Sequence, residues 1–137
     1  MDERFVRFEL GGITFEYDDN KNQSNIKAHG LSFRSAARVF FDYDRIEFYD
    51  DENSLDEDRY NTIGDLSAGI IGTNGSHGDV LIGNIRAFPN EQEEIVYVVY
   101  TERTADDTSK KDKDVIRLIS ARLATSFERG LYYGKHD

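Results

Sequence analysis

Hydrophobic residues alternate with polar ones over "GITFEYDD", where Ile13, Phe15 and Tyr17 are separated by Thr14 and Glu16. A repeat of two predicts a β-strand. "DNKNQSNIKAHG" has no apolar stripe and predicts a short polar helix. Asp18 and Asp19 favour its start, Lys27 and His29 suit its carboxyl end, and Gly30 fits a left-handed closing residue. In "LSFRSAARVFFD" the period changes: Phe33, Ala36, Ala37, Phe40 and Phe41 follow i, i+3, i+4, i+7, i+8 behind the capping Ser32. That is an amphipathic helix. "RIEFY" and "RYNTIG" predict strands on either side of the loop "DDENSLDED".

Residues 65–94 hold five of the eleven glycines, and "GTNGSHG" predicts the tip of an inserted β-hairpin. "EIVYVVYTER" and "DVIRLISAR" predict two apolar strands joined by the charged loop "TADDTSKKDKD". "ATSFERGLYYG" predicts a closing helix, with Thr125 and Glu128 at capping-box spacing and Phe127 and Leu131 one turn apart. The order of elements predicts an α+β fold with a largely antiparallel sheet. One domain over 1–137 is the expected organisation.

Composition changes this picture little: 38 % hydrophobic and 12 % aromatic residues are ordinary for a globular chain. Without cysteine there is no disulfide, thiol nucleophile or Cys-based zinc site. No apolar run has membrane-spanning length, the start "MDERFVRFELGG" lacks a signal-peptide core, and a cytoplasmic location is expected. Charge matters more. The net charge of −10 opposes a nucleic-acid partner, but Asp42–Asp58 hold nine acids against one base. That segment contributes −8, leaving −2 for the rest, and the chain from Arg103 onward carries eight bases against six acids.

The acidic segment lacks the glycine and terminal glutamate of a calcium loop, "GTNGSHG" lacks a P-loop context, and His29, His77 and His136 share no metal-ligand spacing. No metal or cofactor is expected. Arginines are the better lead. Arg59 opens one strand, Arg103 ends another, and Arg122 ends the next. If those strands are neighbours, three guanidiniums meet at one sheet edge, a planar, permanently charged set of donors suited to phosphate. Strict alternation places Arg117 and Arg122, five residues apart, on opposite faces. Tyr17 beside such arginines is placed to stack on a base or orient a ribose hydroxyl.

Several segments in order resemble the BrnT family of ribonuclease toxins from type II toxin–antitoxin operons: "FEYDDNKNQSNIKAHGLSF", "FFDYDRIEFYDDENSLDEDRYNTIG" and "VVYTER…DVIRLISARLATSFERGLYY". The resemblance covers roughly 13–64 and 95–133, and residues 65–94 exceed the short turn usual there. It implies a RelE-like fold: an antiparallel sheet packed with two N-terminal helices and one C-terminal helix, here with the added hairpin. It implies metal-independent RNA cleavage, restrained by a BrnA-like antitoxin through which operator DNA is contacted only indirectly. Carried over by position, it marks Tyr17 as the aromatic site residue and Lys21 as a nearby cation. It further marks Glu57 with Arg59 as an acid–arginine pair, and Arg103 and Arg122 as strand-end arginines. Two other classes stand beside this one: a non-catalytic interaction domain whose acidic face binds a partner, and a phosphate- or small-ligand-binding domain using the same arginines.

Overall fold

A computed structural model describes residues 5–67, 69–73, 79–83, 94–104 and 114–134. Strands β1 (Phe5–Leu10), β2 (Ile13–Asp18), β3 (Ile46–Tyr49), β4 (Tyr60–Asp65), β7 (Ile95–Thr104) and β8 (Asp114–Leu123) form one sheet in the order β1-β2-β8-β7-β4-β3. All neighbours are antiparallel except β2 and β8. Strands β5 (Gly69–Thr73) and β6 (Asp79–Gly83) pair antiparallel in a separate two-stranded sheet. Of the expected tip at 72–78, residues 74–78 lie outside the described residues, as do Pro89, the loop at 105–113, His77 and His136.

Helix α1 (Asp19–His29) begins where the Asp18 carboxylate accepts the N–H groups of Asn20 and Lys21, and ends at Gly30 with φ 70°. Its polar sequence docks through amides. The Asn25 side chain donates to the carbonyls of Leu31 (2.9 Å) and Ala121 (2.7 Å), and Asn22 accepts from the Phe33 N–H. The register of β2 with β8 covers only Thr14–Glu16 against Val115–Arg117. Further along, the edge of β8 would be left unpaired, and Asn25 fills it.

Ser32 caps α2 (Phe33–Ala36) through the Ser35 N–H, as expected, but the α-helix lasts one turn and continues as a 3-10 helix over Ala37–Phe41. The buried residues give the reason. Phe33, Ala36 and Val39 recur every third residue, as do Ala37 and Phe40, and three residues per turn keeps them on the core side. Gly64 of β4 lies beneath: a Cβ there would sit 2.6 Å from Val39 Cγ2, so only glycine fits.

These helices cover one sheet face. Phe15, Tyr17, Phe33, Phe40, Val96, Val98, Tyr100, Leu118 and Ala121 form the main core there. Burying each aromatic or aliphatic side chain of this kind is worth about 1.5–3 kcal/mol. Helix α3 (Ser126–Gly134) packs against the opposite face, where Tyr132 joins Ile63 and Ile95 in a smaller core flanked by Ile46, Tyr97 and Ala124. It covers only one end of that face.

Candidate functional site: an arginine row on the open half of the sheet

The alternation in β8 is interrupted. Tyr100 of β7 faces Leu118, whereas Val99 faces Ser120, so Ile119 is an extra residue. Such a bulge inverts the sense of every side chain beyond it. Arg117 therefore faces Thr101 and Arg122 faces Tyr97, two positions on the same side of β7. Both arginines lie on the face away from the main core, contrary to the expectation from strict alternation.

Glu16 organises the half of that face that no described helix covers. In register it stands between Arg7 on β1 and Arg117 on β8. Its carboxylate accepts from Arg7 Nε (2.9 Å) and Arg117 Nε (2.6 Å), while Arg103 Nε lies 3.8 Å away. Guanidiniums cover it so completely that its residue is 2 % exposed. Burial alone would raise its pKa, but the hydrogen bonds from Arg7 and Arg117 and their charges outweigh that, and the carboxyl sits below the usual carboxylate range. The Arg117 guanidinium also stacks on Phe5, 4.0 Å from the ring centroid.

The row continues toward β4. Glu57 lies 3.9 Å from both Arg59 Nε and Arg103 Nη1, too far for a hydrogen bond. Arg59 Nε is buried without a hydrogen-bond acceptor among the described residues. The loop carrying Glu57 is closed at its base. The Asp50 N–H donates to the Arg59 carbonyl at 2.9 Å, and Ser54 Oγ accepts from the Arg59 N–H and donates to the Asp50 carbonyl. Thr101 Oγ1 fastens it to β7 by donating to the Asp58 carbonyl at 2.7 Å. Among the described residues, four guanidiniums (Arg7, Arg59, Arg103, Arg117) lie within 4 Å of two carboxylates (Glu16, Glu57). A surplus of two positive charges thus sits on a strongly acidic chain. Arg7 is more exposed but bonded to Glu16, whereas Arg103, 42 % exposed, has no hydrogen-bonded carboxylate among the described residues.

Residues 17–72 match the family of the ribonuclease toxin BrnT of type II toxin–antitoxin systems. No curated protein matches the chain. The BrnT match takes in Tyr17, Lys21, Glu57 and Arg59, whereas Arg7, Glu16, Arg103, Arg117 and Arg122 fall outside it.

The expected site residues separate into three groups. Arg59, Arg103 and Glu57 come together as expected. Arg122 does not join them. It faces Tyr97, six residues along β7 from Arg103, which is about 20 Å of extended chain. There it makes a two-pronged contact with Glu128 (2.8 and 2.9 Å) and stacks on Tyr97 at 4.3 Å. Tyr17 and Lys21 lie on the helical side. Tyr17 is 5 % exposed, packed edge-on against Phe8 and Phe33, so its ring is closed to a base and the stacking expectation is corrected. Lys21 is exposed on α1. The residues that sequence reasoning did not place in the site are Glu16, Arg7 and Arg117. Glu16 had read only as a spacer between Phe15 and Tyr17, and β1 was not anticipated at all.

Other features carry less chemistry. An open pocket of about 430 Å³, lined by Gly12, Ile13, Thr14, Glu102, Asp114 and Ile116, offers carboxylates and no cation among the described residues. No cluster of three or more histidine, aspartate and glutamate residues suited to a metal occurs among the described residues. Nor is any described helix long and apolar enough to cross a membrane.

Proposed function

We propose that the chain is the toxin of a type II toxin–antitoxin pair, with a RelE-like fold and an endoribonuclease activity that needs no metal. The observation that supports this most is the gathering of Arg59, Arg103 and Arg117 around Glu16 and Glu57 on the half of a sheet face that no described helix covers, joined to the BrnT match. A ribose 2′-oxygen attacks the adjacent phosphorus, a new P–O bond forms, giving the 2′,3′-cyclic phosphate, and the bond to the 5′-oxygen breaks, that oxygen leaving as a hydroxyl with a proton taken from water. Negative charge grows on the phosphoryl oxygens. Arg103 and Arg59 stabilise it from fixed positions, and Glu57, between them, accepts the 2′-hydroxyl proton. Glu16 serves as a positioning residue that holds Arg117 and steadies Arg103 without touching RNA. Arg122, Tyr17 and Lys21 stand outside this arrangement. A BrnA-like antitoxin is the expected partner, and the acidic loop beside Arg59 is suited to a basic segment of it.

That loop, with Asp51, Glu52, Asp56 and Asp58 exposed, also favours the alternative of a non-catalytic interaction domain. Purified protein incubated with labelled RNA in excess chelator separates the two. Cleavage is expected, with Arg103→Ala lowering the rate on the order of 10²–10³ while the thermal midpoint stays unchanged. Cleavage that required added divalent metal would overturn the mechanism. Absence of cleavage together with tight binding of a basic partner would favour the interaction domain.

A further inference from the structure

The arginines do more than meet at a point. Arg7, Glu16, Arg117 and Thr101 are successive register partners across β1, β2, β8 and β7. Tyr60 partners Tyr100, so Arg59, one residue before Tyr60, continues the same line on the β4 side. From Arg7 to Arg59 is four inter-strand steps of about 4.8 Å, roughly 19 Å. Phosphates of one stacked strand are about 3.4 Å apart along its axis, so the row reaches across several linkages.

We infer that this row is an extended binding track for single-stranded RNA running across the strands, with Arg59 and Arg103 at the scissile linkage and Phe5, Arg7 and Arg117 as a distal nucleotide subsite. It rests on the ribonuclease reading and extends it. Phosphate is the natural occupant because the row has surplus positive charge on an otherwise acidic chain. Phe5 adds a second ingredient. Its ring is 38 % exposed and lies against Arg117, an aromatic–guanidinium pair of the kind on which bases stack. Two further acids flank the row without pairing to its arginines among the described contacts: Glu9, on the next row, accepts from Thr14, and Asp18, opposite Phe5, caps α1. Strand β1, which supplies Phe5 and Arg7, precedes the BrnT match beginning at residue 17, so the distal subsite lies outside the matched segment.

The test uses the full chain in chelator and a fluorescent oligouridylate of about ten nucleotides, with 2′-O-methyl riboses so that no hydroxyl can attack. Wild-type protein is expected to bind it, with log K falling linearly against log salt. Arg7→Ala is expected to reduce that slope by about 0.7, the share of one phosphate, and Arg7→Lys to retain it. Phe5→Leu, which keeps an apolar residue in the strand but removes the ring, is expected to weaken binding about five-fold or more. With cleavable RNA, both Arg7→Ala and Phe5→Leu should lose more on the long substrate than on a dinucleotide. If the wild type binds and cleaves while both variants match it, the track is refuted and the ribonuclease reading stands. Binding of duplex but not single strands would also refute the track. Neither binding nor cleavage by the wild type would remove both.

Discussion

Arg117 and Arg122 stand on the same face of β8 and have opposite surroundings. Around Arg122 the face is closed. Helix α3 lies over it, Glu128 takes both prongs of the guanidinium, and Tyr97 supports its plane. Around Arg117 no described helix lies over the face, and the guanidinium, 23 % exposed against 36 % for Arg122, differs not in exposure but in being one of several that share few carboxylates. One chemical group thus performs two tasks, according to whether its charge is matched locally. A matched arginine fastens a helix; an under-matched cluster keeps affinity for an anion from outside. Arginine at a strand end is therefore ambiguous until its acid is identified.

The largest effect is expected from loosening the closed half. Asp42 is fully buried and accepts from the Tyr132 hydroxyl (2.7 Å) and the Asp65 N–H (2.7 Å), which ties α3 to β4. The buried Tyr132 hydroxyl is held well above its ordinary pKa, first by desolvation and then by this bond, so it remains the donor. Asp42→Ala strands these two donors and the Asp44 N–H, which Asp42 Oδ1 also accepts, and should cost about 3 kcal/mol, lowering the thermal midpoint by roughly 10 °C. A midpoint within a degree or two of wild type would show that α3 is not held this way.

Arg122→Ala comes next. The Arg122–Glu128 pair is partly exposed, which limits its worth. The loss of the aromatic contact and of support for the capping box raises the expected cost to about 1 kcal/mol. The comparison is sharpened by activity: a folded Arg122→Ala protein should retain RNA cleavage, unlike Arg103→Ala. Loss of cleavage in Arg122→Ala without loss of stability would return Arg122 to the reactive group and end the contrast drawn between the two halves.

Local chemistry made much of this fold readable in advance. The two caps of α1, the Ser32 cap and the reciprocal Thr125–Glu128 bonds depend on residues within four positions of one another, and all are present. Strand β2 followed from a period-two pattern, β3, β4, β7 and β8 lie where strands were expected, the last two from their apolar runs, and a β5–β6 pair lies within 65–94 as expected. Long-range choices were hidden. Strand β1 carries Arg7 and Glu9 on its outward positions, and those read as a charged leader until Glu16 and Thr14 are seen opposite them. The bulge at Ile119 is a two-strand property: "RLISA" sets two apolar residues, Leu118 and Ile119, side by side, and only pairing with β7 shows that the parity changes there. For that reason strict alternation put Arg117 and Arg122 on opposite faces when they share one; Arg122 and Arg103 were grouped as strand-end residues, but β7 and β8 are antiparallel, which puts their carboxyl ends at opposite ends of the pair.

The smallest effect concerns acid, and it weighs the two halves against each other. Glu16 in the open half and Glu128 in the closed half both titrate below the usual range. For Glu128 the hydrogen bond from Arg122 is the leading cause, opposed by desolvation. For Glu16 desolvation is the leading influence and the arginines overcome it. A carboxyl depressed in the folded chain binds fewer protons there than when unfolded, so its stabilisation is complete above the unfolded value of about 4.3 and is lost as pH falls through the folded one. At pH 4 a single carboxyl of this kind can have lost no more than about 0.6 kcal/mol. Denaturant midpoints measured from pH 7 to pH 4 should therefore fall only modestly, and more steeply below pH 4. Glu128→Gln and Glu16→Gln should each flatten that fall. If Glu16→Gln leaves the acid dependence untouched while Glu128→Gln reduces it, the Glu16 carboxylate is not bound by its arginines in solution, and the open half is a looser assembly than the row requires.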